Sequence, residues 1–256
     1  MAPKTVLITG ANRGIGLGLV KEILKWSGVE TLIAGARNVE NAKDLQSIAS
    51  SDKRVHLISV DVSNDDSLIN STKLVDNIVG SNGLNLLINN AGILDRYSAD
   101  SPPNRDIVNK VIDVNATSAL LMSQYYLPLL QKAAALSDNT NQLSIDRAAI
   151  INIGSDCSSQ TLNTGGSLGA WGVLAYKMSK CAMLSFTRTL AADFKNMDIP
   201  VLVACIHPGW VQTDMGGANA AITVEQSAKS IVKGLATLDA THAGGLFDEE
   251  MTKMPF

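Results

Sequence analysis

The sequence predicts an α/β protein, a doubly wound parallel sheet with helices on both faces, and three observations carry that prediction. Short β-branched runs alternate with amphipathic segments along the whole chain, the pattern of strand–helix–strand crossovers. The runs are apolar almost throughout rather than at every second residue, so both faces of the sheet must be covered. The first run leads straight into a glycine-rich turn and then a helical pattern, and such turns past strand ends are where an open parallel sheet forms its ligand crevice.

Taken in order, strands are expected at 5–8, 31–34, 55–60, 84–88, 149–153 and 201–206, with helices at 15–25, 67–79, 105–135, 176–197 and 224–235. A polar stretch at 137–146, rich in Asn and Asp, reads as an exposed surface insertion. No internal repeat, low-complexity tract or Pro/Gly linker divides the chain, and 256 residues suit a single domain spanning 1–256.

Composition narrows the function classes. With 46% hydrophobic and 18% charged residues there is ample apolar surface to bury and little sign of disorder. The 21 basic and 24 acidic residues leave a net charge of −3, and no Lys/Arg block could track a phosphate backbone or an anionic membrane, so neither nucleic acid nor membrane is expected as a partner. No apolar stretch approaches the ~20 residues of a membrane helix, and the run after Met1 is too short for a signal peptide. Cys157, Cys181 and Cys205 show no CxxC spacing, and His56, His207 and His242 are scattered. Neither a disulfide framework nor a metal site is indicated, and a reducing cytoplasm fits best.

The turn itself reads Thr9-Gly10-Ala11-Asn12-Arg13-Gly14-Ile15-Gly16. A strand, a glycine turn and a helix start bring backbone N–H groups and the positive helix end against a pyrophosphate. Further motifs follow in register: Asp61-Val62, Asn89-Asn90-Ala91-Gly92, Asn115, Ser155, Tyr176-Lys177-Met178-Ser179-Lys180 and His207-Pro208-Gly209-Trp210-Val211-Gln212-Thr213. In this set, and in its TGxxxGxG turn, the chain resembles the short-chain dehydrogenase/reductase family over essentially its whole length. Within the family it looks most like the sniffer-type carbonyl reductases and the related C-factor-like proteins.

The resemblance implies a Rossmann fold with a single seven-stranded parallel sheet, NADP(H) as cofactor, and a small-molecule carbonyl substrate. It implies a homodimer formed through the helices at 105–135 and from Tyr176. Gly10, Asn12, Arg13, Gly14, Ile15 and Gly16 would then cradle the cofactor. Asp61, with Val62 beside it, would bind the adenine amino group, and Asn89 and Gly92 would line the adenine ribose. Val211 and Thr213 would hold the nicotinamide carboxamide, with Ala91, Pro208 and Gly209 completing the cofactor set.

Tyr176 and Lys180 are four apart in a helical pattern and so project from one face about a turn apart. A free phenol has a pKa of about 10, and a nearby ammonium favours the phenolate. A tyrosine so placed gives its proton to a carbonyl oxygen as hydride arrives, or takes one from an alcohol in reverse. The resemblance assigns Ser155 a hydrogen bond to the substrate oxygen, Lys180 the nicotinamide ribose hydroxyls, and Asn115 a water linking the lysine to solvent. Two departures stand out: Gly154 replaces a frequent serine, and the segment before Tyr176 is long, with Gly165, Gly166, Gly169 and Gly172 in it. Ser158 and Ser159 lie close behind Ser155, whose strand-end position favours it.

Cofactor choice rests on two arginines. Ala36 stands where NAD-dependent sites carry an acid for the ribose 2′-hydroxyl, and Arg37 follows it. Arg13 is the second basic position, and a guanidinium fork suits a 2′-phosphate, so NADPH is expected over NADH. Small residues such as Gly216, Gly217, Ala218 and Ala220 follow Thr213, implying an open site for small to medium aldehydes, ketones or quinones. From another class, the chain could be a catalytically idle NADP(H)-binding sensor or a signalling protein on the same fold. The intact Asn115, Ser155, Tyr176 and Lys180 speak for the enzyme.

Overall fold

The computed structural model describes residues 2–138, 142–164 and 172–256. Seven strands run through the chain: β1 (Thr5–Thr9), β2 (Thr31–Ala36), β3 (Val55–Ser59), β4 (Leu86–Asn89), β5 (Ala149–Ile153), β6 (Leu202–Ile206) and β7 (Leu246–Phe247). They form one sheet in the order β3-β2-β1-β4-β5-β6-β7, and each neighbouring pair is parallel. The predicted fold class, a doubly wound seven-stranded parallel sheet, is thus borne out. The order reverses between β1 and β4, which puts the crevice of an open sheet beside the glycine turn.

The helices are α1 (Gly14–Ile23), α2 (Lys43–Ser51), α3 (Asp65–Val79), α4 (Arg105–Ile112), α5 (Ser118–Ala135), α6 (Leu174–Asn196) and α7 (Val224–Leu235). Two apolar layers explain why the strands lack polar alternation. Val6, Ile8, Leu32, Ala34 and Ile151 pack on one face with Leu19 of α1 and Ala228 and Ile231 of α7. Leu7, Ile33, Leu87 and Ile150 point the other way, against Leu68 of α3 and Tyr126 and Leu130 of α5. Successive strand residues face opposite sides, so a strand covered on both faces is apolar at most positions, and the polar residues buried in the strands, Thr5, Thr9, Asn89 and Asn152, are hydrogen-bonded.

Four details differ from the sequence reading. The helix expected at 105–135 is broken by a π turn at Asp113–Thr117, the rare widening that tends to mark functional positions. α2 was not expected, because among its nine residues only Leu45 is buried and the apolar period is faint. β7 is two residues long, below what a periodicity can register. The stretch at 137–146 is not wholly an exposed insertion: Ile145 is 2% exposed inside the core, and the Asn85 side-chain amide donates to Asp146 O at 2.8 Å. Residues 139–141 of that stretch lie outside the described residues, as do Gly165, Gly166 and Gly169. Among the described residues no helix is long and apolar enough to cross a membrane.

Candidate active site

The glycine turn is shaped by backbone alone. Gly10 and Gly14 hold φ of +63° and +53°, a region that favours glycine. A Cβ on Gly10 would come within 2.9 Å of Ala91 Cα, and one on Gly16 would collide with the Gly10 carbonyl oxygen. The turn therefore lies flat against the start of α1. That helix begins at Gly14 with no side-chain cap from Arg13 and no acid in its first turn, so its N–H groups and positive end face the cleft. Thr9 Oγ1 accepts from the N–H groups of Asn90 and Ala91, each at 3.0 Å, which ties the turn to the end of β4.

The cleft so formed has a volume of about 900 Å³. Of the expected cofactor residues, Gly10, Asn12, Arg13, Gly14, Ile15, Gly16, Arg37, Asp61, Val62, Ala91, Gly92 and Thr213 line it. Its two arginines stand at the end of β2 and at the entry to α1. Arg13 Nη1 pairs with Asp214 Oδ2 at 2.7 Å across the cleft mouth, between two largely exposed side chains. Asp61 Oδ1 accepts from Ser63 Oγ at 2.8 Å and from Ser63 N–H at 3.1 Å, which fixes its carboxylate at the cleft edge.

Asn89 is not where the resemblance put it. Its side chain is buried beneath the cleft, donating to Asn152 Oδ1 at 2.8 Å and Ser123 Oγ at 3.2 Å. Asn90 takes the lining position instead, and its Nδ2 donates to the carbonyls of Thr9 at 2.8 Å and Gly10 at 3.1 Å. Asn115, in the π turn, is fully buried and lines neither space. Its Oδ1 accepts from Ile93 N–H at 2.8 Å and its Nδ2 donates to Ile93 O and to Ser179 Oγ, each at 2.9 Å. Its side chain ties the cleft rim to α6 rather than reaching toward Lys180.

A second space of about 440 Å³ opens from the first, sharing Ile15, Asn90, Gly92, Thr213 and Met215 with it. Ser155, Tyr176 and Lys180 all line it, with Pro208, Gly209 and Val211. Gly172, at φ +77°, accepts the Tyr97 N–H at 2.9 Å, and Leu174 N–H donates back to Tyr97 O at 2.9 Å, which pins the start of α6. Lys180 follows Tyr176 by one turn and its Nζ lies 5.6 Å from the phenol ring centroid. That Nζ donates to Ile153 O at 2.7 Å, at the end of β5. Ser158 and Ser159 are buried away from the cavity, so of the three serines only Ser155 faces it.

Gly154 now has a physical reason. A Cβ there would collide with Cys205 Sγ, on the neighbouring strand β6. The thiol of Cys205 occupies the volume that a larger residue before Ser155 would need.

Electrostatics depart from the reading based on spacing. Burial pushes the Tyr176 phenol above its ordinary value, a rise that the Ser155 hydroxyl partly offsets. Burial pulls Lys180 down to about 8, with Cys205 and Cys157 acting the other way. Desolvation, rather than the lysine charge, sets the acidity of the resting tyrosine.

Sequence reasoning missed several lining residues. Leu94, Arg96, Asp156, Cys157, His207 and Trp210 line the smaller space, and Asn109, Lys110 and Asp113 the larger. Asp156, His207 and Trp210 directly adjoin expected residues, and Cys157 lies two beyond Ser155, a signal that adjacency could have supplied. Those on α4 carry none, since only the fold brings that helix to the rim.

These features define the class. The chain belongs to the short chain dehydrogenase family, whose model matches residues 4–222, and is an oxidoreductase of that type. Over the full length of both chains it is 45% identical to the Sniffer protein of Caenorhabditis elegans, with a TM-score of 0.90. The NADPH-bound carbonyl reductase from chicken fatty liver is 33% identical, again over both full lengths, with a TM-score of 0.93. The C-signal of Myxococcus xanthus is 28% identical, covering 68% of this chain and 93% of its own length. The resemblance read from the motifs is borne out.

Proposed function

We propose that this chain is an NADP(H)-dependent carbonyl reductase acting on small to medium aldehydes, ketones or quinones, with Tyr176 as proton donor. One observation carries the reading: Ser155, Tyr176 and Lys180 converge on one cavity that is continuous with the glycine-turn cleft. The cleft fits the cofactor class, since uncapped N–H groups of α1 suit a pyrophosphate while Arg13 and Arg37 suit a further phosphate. Small spaces of this kind, mostly preformed, are typical of ligand sites.

NADPH, when bound, supplies the hydride. Tyr176, kept protonated by burial, gives its proton to the substrate oxygen. Ser155, whose hydroxyl donates to Asp156 Oδ1 in this structure, turns its single O–H to the substrate oxygen and stabilises the charge developing there. Lys180, mostly protonated at neutral pH with its pKa of about 8, offsets the negative charge left on Tyr176 as the proton departs. A phenol whose pKa is raised by burial is protonated at neutral pH, the form reduction requires, but it is a weak acid, so its proton transfer depends on the help of the Lys180 charge.

A signalling reading is favoured by the likeness to the C-signal, and the intact cavity speaks against an idle site. The homodimer and a cytoplasmic location belong to the same proposal, supported by the exposed Leu174 and Met178 on α6 and by free cysteines. Purified protein incubated with a panel of aldehydes, ketones and quinones tests the reading through loss of NADPH absorbance. Consumption with several members is expected, and none across the panel would favour a sensor or signalling protein.

A further inference from the structure

The smaller cavity has a polar corner that proton transfer does not use. Asp156 and His207 both line it. They follow neighbouring strands: β5 and β6 pair in parallel with Ile153 opposite Ile206, His207 comes directly after β6, Asp156 opens the short turn at Asp156–Ser158 that follows β5, and the Asp156 charge acts on the His207 imidazole. Asp156 Oδ1 accepts from Ser155 Oγ at 2.9 Å and from Cys157 N–H at 2.7 Å. Its other oxygen accepts no hydrogen bond from the described residues. On His207, Nδ1 is buried with no hydrogen-bond partner among the described residues, and burial holds the imidazole below its ordinary pKa and hence neutral at pH 7. Leu94, Val173 and Met215 give the cavity an apolar wall, and Arg96, Asn90 and Thr213 line it as well, beside the catalytic side chains.

A carboxylate oxygen beside a neutral imidazole matches a hydroxyl, which donates to the first and exchanges a hydrogen bond with the second. A substrate carboxylate would meet repulsion there, and a purely apolar group would leave two polar groups unpaired. Position follows from Ser155. The reacting oxygen must lie within hydrogen-bond reach of its hydroxyl, and Asp156 Oδ1 is 2.9 Å from that same Oγ. A hydroxyl on the carbon next to the carbonyl, or one further along, reaches the corner. We infer that this corner selects hydroxylated carbonyl compounds, ketones or aldehydes with a hydroxyl one or two carbons from the reacting group, and that Asp156 determines this specificity. The inference rests on the carbonyl reductase reading.

The test compares kcat/KM, with NADPH, for 2-hydroxyacetophenone and 2-methoxyacetophenone, which share an activating oxygen while only the first can donate a hydrogen bond. A charge-assisted hydrogen bond implies a preference of about tenfold or more for the hydroxyketone in the wild type. Asp156→Ala should bring the ratio to within about threefold of unity, since the acceptor is gone. Asp156→Asn keeps Oδ1 and its bond from Cys157 N–H, so the turn is preserved and an intermediate ratio is expected. A wild-type ratio near one with both ketones reduced would overturn the inference, as would a preference that survives Asp156→Ala. If neither ketone is turned over, the reductase reading is decided by the wider carbonyl panel, and the pair is compared by quenching of tryptophan fluorescence, Trp210 lining the cavity. Equal affinities there would overturn the inference too, while tighter binding of the hydroxyketone, lost in Asp156→Ala, would support it.

Discussion

The two ends of the ligand-binding region are built by different means. The phosphate end of the larger cleft rests on backbone, a glycine turn and the uncapped start of α1, with the Arg13 and Arg37 side chains beside them, while the rest of its lining reaches as far along the chain as Val224. The smaller cavity is built by side chains from four separate segments, around Gly92, Ser155, Tyr176 and His207. A backbone site offers N–H groups that single substitutions cannot remove, whereas a side-chain site concentrates its chemistry in a few exchangeable atoms. Binding and turnover should therefore be separable, and variants at each end test whether they are.

Tyr176→Phe breaks the cavity alone. Because general acid catalysis typically contributes 10²- to 10⁴-fold, kcat should fall by about that much while NADPH affinity, measured by fluorescence titration, stays within about twofold. A loss below about tenfold would remove Tyr176 from the role.

Ala36→Asp with Arg37→Ala acts on the cleft alone. It adds repulsion of a 2′-phosphate and removes an attraction, so the ratio of kcat/KM for NADPH over NADH should fall by about ten- to a hundredfold or more and turn toward NADH. Equal efficiency with both cofactors in the wild type would show that these positions do not read the 2′-phosphate.

The pH profile sharpens the contrast. Lys180 titrates near 8 and acts through its protonated form, so the rate of reduction should be level up to about pH 7 and fall about tenfold by about pH 9. NADPH affinity should change less over that range, because the proposed phosphate site is made of backbone N–H groups and arginines, whose charges do not change there. A rate still rising at pH 9 would contradict the role given to the lysine charge.

The smallest effect belongs to the Arg13–Asp214 pair. An exposed ion pair is weak, yet it competes for one of the two guanidinium groups. Asp214→Asn should tighten NADPH binding by no more than about fivefold and leave NADH unaffected, as isothermal titration would show. Weaker NADPH binding would mean that Asp214 holds Arg13 in place rather than competing for it.

Sequence legibility follows the same division. The glycine turn, Ala36 with Arg37, and the Tyr176–Lys180 spacing are local patterns, and each appears in the structure where the chain order put it. Asn89 and Asn90 show the limit: alternate strand residues face opposite sides, so a shift of one residue at the end of β4 separates a buried amide from a lining one. The fit of Cys205 under Gly154 joins two strands distant in sequence, and no local pattern encodes it. Nor does spacing encode burial, which is why the charge of Lys180 looked decisive for Tyr176 when desolvation outweighs it. The polar corner of Asp156 and His207 likewise exists only because β5 and β6 are neighbours.

The most direct test of the account is to follow the hydrogen itself. NADPH deuterated at both C4 positions is incubated with a reducible ketone from the panel and the purified protein, and the alcohol is analysed by mass spectrometry. The account predicts one deuterium on the carbinol carbon, at a rate that Tyr176→Phe lowers by about a hundredfold or more. No deuterated alcohol from any carbonyl compound, with NADPH bound and intact, would contradict it.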